Sequence, residues 1–122
     1  MDFSQPIIED QKLMCALHKA EYCPVTKDSR VGIAKNVNEM SRPINGLRHP
    51  PSGETSGWYI WAGTELSTAP DFFLPSHAEH LQDRCPDVLK FLGLPPGWRF
   101  LIAGDYRDVW FDADLLNLPE LS

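Results

Sequence analysis

No apolar run in this chain approaches the ~20 residues that a helix needs to cross a bilayer, so a helical membrane span is excluded. The first residues, Met1-Asp2-Phe3-Ser4-Gln5-Pro6, lack the basic start and apolar stretch of an export signal. The expected location is therefore the cytoplasm. Positive charge is also scarce, with 11 Lys and Arg against 17 Asp and Glu and a formal charge of −6. Nucleic-acid binding through phosphates needs a basic face, so that class is disfavoured. A basic protein partner is allowed, because opposite net charge speeds encounter, although the same acidity also serves solubility. Cysteine is sparse and odd in number: Cys15, Cys23 and Cys85 stand far apart and read as reduced thiols rather than a disulfide framework.

Catalytic signatures are missing too. There is no phosphate-cradling glycine loop and no Gly-x-Ser-x-Gly elbow. His77 and His80, with Cys85 nearby, form the one metal-like cluster in the sequence, and zinc needs three or four ligands of fixed geometry. No cofactor and no metal is expected from that set. Asp105, Asp108, Asp112 and Asp114 offer carboxylates, but nothing in their spacing marks a general acid–base pair. The expectation is a protein without catalysis.

What the chain does have is aromatic strand material. At 122 residues and 43% hydrophobic content it can bury a real core, and one domain over residues 1–122 is expected. Ser56-Gly57-Trp58-Tyr59-Ile60-Trp61-Ala62-Gly63 packs two tryptophans, a tyrosine and an isoleucine between glycines. Such a run reads as a strand, with Trp58 and Ile60 on one face and Tyr59 and Trp61 on the other. Apolar residues on both faces suit a central strand. Trp98-Arg99-Phe100-Leu101-Ile102-Ala103 and Asp108-Val109-Trp110-Phe111-Asp112 read as two more, joined as a hairpin through Asp105-Tyr106-Arg107.

Around these the pattern predicts a helix over residues 6–22, with Leu13, Leu17 and Ala20 as its apolar stripe and Met14 beside it. His18 flanks that stripe with its ring half covered. Cys23-Pro24 ends the helix. Residues 31–37 read as a short strand, and Ile44–Arg48 as a brief one near the turn-prone Asn45-Gly46. Arg48 is placed in a loop stiffened by Pro50 and Pro51, which would lose little entropy on binding. Ser76-His77-Ala78-Glu79 has the form of a capping box opening a helix to about Arg84, and a second helical piece follows Pro86 and stops at Gly93. The predicted fold is α+β: an antiparallel sheet of about four to five strands, an N-terminal helix within residues 1–24, and a helical segment between the central strands of a core spanning 31–111.

Binding signals outweigh catalytic ones. Asp108, Trp110 and Asp112 share one strand face, and Val109 and Phe111 share the other, which is the natural core side. A tryptophan between two carboxylates near solvent suits a patch for a basic protein. Trp110 packing under a neighbouring element is the equal alternative. The candidate contacts are Trp110, Asp108, Asp112, Tyr106, Asp105, Arg48 and Glu65.

The order Gly32-Ile33-Ala34-Lys35-Asn36-Val37, Arg48-His49-Pro50, Ser56-Gly57-Trp58 and Ala62-Gly63-Thr64-Glu65 resembles the domain of the bacterial immunity protein 33 family, which occurs beside polymorphic toxins. Leu94-Pro95-Pro96-Gly97 is similar to that family's entry into its next strand. The resemblance covers roughly residues 31–111. Ala34-Lys35 stands where the family pattern has Ser-Lys, and the N-terminal helix stands outside it. What the resemblance implies is a cytoplasmic protein that neutralises a co-encoded toxin by binding it, without catalysis. Such toxins are often delivered by type VI or contact-dependent secretion. A small-ligand or regulatory module, with aromatics lining a pocket beside Trp58 or Trp61, is the alternative.

Overall fold

The computed structural model describes residues 3–37, 43–51, 53, 55–63 and 73–116. Its elements in chain order are α1 (Gln5–Leu17), β1 (Arg30–Ala34), β2 (Ile44–Arg48), β3 (Thr55–Ala62), β4 (Phe73–His77), α2 (Leu81–Arg84), β5 (Trp98–Ala103) and β6 (Tyr106–Phe111). Tight 3₁₀ turns occupy Ala78–His80, Pro86–Phe91 and Ala113–Leu116. The strands make one six-stranded sheet in the order β4-β1-β3-β2-β5-β6. Every neighbouring pair is antiparallel except β1 and β3, which run parallel. The fold is α+β, as the sequence predicts, with a sixth strand and one parallel pairing added.

The extra strand is β4. Ser76 and His77 belong to it, and the helical run begins at Ala78 with no side-chain cap. Ser76 instead shares a hydrogen bond of 3.3 Å with His80 Nδ1. The second surprise is β2, which lies between β3 and β5. Its Asn45-Gly46 looks like a turn locally, but two long-range contacts hold it extended. Asn45 Nδ2 donates to the Gly63 carbonyl at 2.7 Å. Gly46 leaves room for the Phe100 ring, which a Cβ there would meet at 2.1 Å.

β3 is central, and its two faces are used as the alternation predicts. Trp58 and Ile60, both fully buried, point with Ile33, Ile44, Phe100 and Ile102 toward the helical side. There the Phe91 ring stacks on Phe100 at 4.4 Å and 10°, and Trp58 Nε1 donates to the Leu92 carbonyl at 3.0 Å. Tyr59 and Trp61 point the other way, each edge-on to Phe73 of β4.

Near its start β3 is irregular. Arg30 lies opposite Thr55, but Gly32 already lies opposite Tyr59, so β3 carries two more residues than β1 over that step. Gly57 absorbs the kink with φ +95°, and a Cβ there would stand 1.9 Å from the His49 carbonyl oxygen. Positive φ and close approach together require glycine.

α1 corrects the predicted stripe. Its buried side chains are Gln11 and Cys15, with Ile7, Ile8 and Met14 partly covered, whereas Leu13 and Leu17 are 59% and 68% exposed. Polar bonding sets the rotation. Gln11 Nε2 donates to the Leu89 carbonyl at 2.9 Å, its Oε1 accepts from Tyr22 Oη at 3.1 Å, and Cys15 Sγ donates to the Gly93 carbonyl at 3.3 Å. These bonds tie α1 to the segment around Pro86–Phe91, which in turn covers the sheet. His18 is half-buried as expected, its ring 5.8 Å from that of Trp98.

Candidate functional site

β5 and β6 form a hairpin whose turn is Gly104-Asp105, with Ala103 paired to Tyr106. Gly104 takes φ +60° at the first turn position, where a type II′ hairpin needs glycine. The turn is therefore one residue earlier than Asp105-Tyr106-Arg107, and Tyr106 and Arg107 are strand residues. β6 lies at one edge of the sheet. Tyr106, Asp108 and Trp110 fall on the face away from the helical layer, opposite Ala103, Leu101 and Arg99.

On that face a compact group forms. Arg99 Nη1 donates to Asp112 Oδ2 at 3.2 Å, and its guanidinium carbon lies 5.4 Å from the Trp110 ring centre. Asp112 Oδ1 accepts from the Asp114 backbone N–H at 3.1 Å, which fixes the carboxylate. Arg99 Nε is buried and finds no acceptor among the described residues. Trp110 is half-buried, with this arginine over its ring. Asp105, Tyr106 and Asp108 are exposed. Phe111, predicted inward with Val109, is instead 49% exposed, because it stands at the strand end where its ring meets Trp98 at 5.7 Å.

The structure thus brings Trp110, Asp108, Asp112, Tyr106 and Asp105 onto one hairpin. Arg48 is a correction. It belongs to β2, is 3% exposed, and points into the interior rather than out from a proline-stiffened loop. Its Nε donates to the Ser56 carbonyl at 2.9 Å and its Nη1 to the Cys23 and Leu94 carbonyls at 2.8 Å each. Burial pulls the guanidinium below its ordinary value, with Cys23 and Cys15 opposing. Carbonyls from three distant segments converge on it, so its role is to join them. Glu65 lies outside the described residues.

The Ser56-Gly57-Trp58 signature is equally architectural. Ser56 Oγ donates to the Arg30 carbonyl at 2.8 Å, Gly57 makes the bulge and accepts from His49 N at 2.9 Å, and Trp58 fills the core. Trp58 and Trp61 are 0% and 4% exposed, so neither is open to solvent.

A metal-like group does exist elsewhere. Ligand atoms of His77, Glu79 and His80 lie within 4.8 Å of one another on the surface. Glu79 replaces Cys85, which is buried, as the third member. Arg30 lines the same hollow of 300 Å³, a cation that opposes a bound metal ion.

Among known protein families, the Imm33-like domain matches residues 10–112. The chain belongs to the Imm33-like family. No curated protein and no solved structure matches it. The Imm33-like match begins inside α1, so most of that helix lies within the family domain rather than outside it. Membership implies an immunity protein with a cognate toxin as its partner, and such proteins are typically non-catalytic. Among the described residues no helix is long and apolar enough to cross a membrane.

Proposed function

We propose that this protein works in the cytoplasm as an immunity protein, binding and neutralising a toxin encoded beside it, with no catalysis of its own. The toxin is a secreted interbacterial effector, delivered by a type VI or contact-dependent route. The observation that carries this reading is the Imm33-like match over residues 10–112. The β5–β6 hairpin supports it further. It offers a half-open tryptophan, an exposed tyrosine and the carboxylates of Asp105, Asp108 and Asp112 on an acidic molecule, which suits a toxin basic at its contact surface.

The test is co-expression with the protein encoded by the neighbouring open reading frame. Growth is rescued, and the two chains co-purify as a stable complex burying ~1,200–2,000 Å² if the interface is of standard size. Absence of both rescue and complex refutes the reading.

A further inference from the structure

β6 closes the sheet on one side and β4 on the other, and the two edges are built differently. Proline has no N–H for a ladder, so Pro75 in the middle of β4 leaves that edge without a donor at its centre. β6 runs from Tyr106 to Phe111 with no proline and no bulge. The direction of its backbone groups follows from the pairing. Asp112 N donates to the Gly97 carbonyl at 2.6 Å, and register holds without a break from Trp98↔Phe111 to Ala103↔Tyr106. Bonded and non-bonded pairs alternate along an antiparallel ladder. Trp110, Asp108 and Tyr106 therefore bond to β5, and Arg107, Val109 and Phe111 aim their N–H and C=O groups away from the sheet.

Beside that outward row, on the face opposite the helical layer, stand Tyr106, Asp108, Trp110 and Asp112, with Asp105 at the hairpin tip. Asp112 is engaged by Arg99, whereas Asp108 and Asp105 make no ion pair among the described residues. Arg107 lies on the opposite strand face and makes no ion pair with either among the described residues. Its Nη1 donates to the Gly104 and Tyr106 carbonyls at 2.6 and 3.2 Å, which folds it back on the turn.

We propose that β6 accepts an added strand from the toxin: an extended segment with basic residues at alternate positions. Its backbone pairs with Arg107, Val109 and Phe111, and its cations lie against Asp108 and Asp105. The side-chain period of two puts every second residue of the incoming strand on the Asp108 face, so alternation of charge is the sequence it selects. Self-pairing of two β6 strands is opposed by a formal charge of −6 on each copy. The inference rests on the immunity reading and adds the mode of contact.

Amide hydrogen exchange, read residue by residue on the free chain and on its complex with the inactivated product of the neighbouring reading frame, tests it. Tyr106, Asp108 and Trp110 are protected in both states. Arg107, Val109 and Phe111 exchange freely alone and slow by at least ~10-fold in the complex. Arg107→Pro, which deletes one outward N–H and no ladder bond, weakens binding by at least ~10-fold, while Arg107→Ala changes it by less than ~3-fold. A complex in which those three amides exchange as in the free chain overturns the added strand and leaves the immunity role standing. So does Arg107→Pro binding like Arg107→Ala, or a free chain that is a dimer paired through β6. No complex and no rescue of growth overturns both.

Discussion

A buried guanidinium is costly to desolvate, and Arg48 is kept because three carbonyl oxygens surround it, with the Trp58 ring centre 5.7 Å away. Arg48→Met strips Ser56, Cys23 and Leu94 of a shared donor in a dry place. It is expected to lower stability by about 3 kcal/mol, read as a shift of the urea midpoint. Arg48→Lys keeps the charge but not the fork, and recovers only part of the loss. Nothing local announces this role, since an arginine before His49-Pro50-Pro51 reads as exposed and its partners come from far along the chain. Cys15 gives a second prediction at this scale. Burial, with Cys23 adding and Arg48 opposing, raises its thiol above the ordinary 9.0, and the unfolded chain therefore releases that proton first. Its contribution to stability is complete below pH 9.0 and is lost as pH rises through the folded value. Cys15→Ser removes that part of the alkaline decline, measured as the difference between the two denaturation-versus-pH curves.

At the scale of elements, the decisive contacts are those that override local preference. The strands rich in tryptophan and phenylalanine are legible in sequence because aromatic runs have few other places to go. The order of the sheet is not, because β2 holds its place through Gly46 under Phe100 and Asn45 on Gly63. α1 shows the same limit: leucine spacing favours one rotation, and Gln11 and Cys15 enforce another by bonding to the Leu89 and Gly93 carbonyls. The bulge of β3 is where this scale makes its sharpest prediction. Gly57→Ala meets the His49 carbonyl oxygen at 1.9 Å from its Cβ and must also hold φ +95°. The carbonyl itself is tied into the backbone, so it has little freedom to give way. The cost is about 3 kcal/mol, against well under 1 kcal/mol for Leu13→Gln on the exposed side of α1. Thermal melts of the two variants check the contrast, and equal losses in both refute it. Ser56-Gly57-Trp58 thus serves the folding of this chain and says little about where a toxin sits.

For the whole molecule, the candidate surface was half legible. Residue type and strand alternation pick out Trp110, Asp108 and Asp112, yet the sequence cannot show that β6 is the last strand of the sheet. That position makes the hairpin accessible and, on the proposed contact, gives charge and direct packing separable roles in binding the toxin. Asp108 is exposed and makes no ion pair among the described residues, so on the proposed contact its carboxylate draws the toxin's cations from a distance and pairs with one of them once bound. Asp112 is a poorer probe, since it also anchors Arg99 and the Asp114 amide. Asp108→Lys is expected to slow association with the toxin by several-fold and to speed dissociation at ~0.1 M salt, with the effect on association nearly gone near 1 M, where the screening length falls to ~3 Å. On the same proposal Trp110 works at contact distance. Trp110→Ala should leave the association rate within about 2-fold and speed dissociation by at least ~10-fold, at either salt concentration. Surface-immobilised toxin, with both rate constants followed across a salt series, resolves the two. If neither Asp108→Lys nor Trp110→Ala changes either rate constant at ~0.1 M salt, the hairpin is not the surface that meets the toxin.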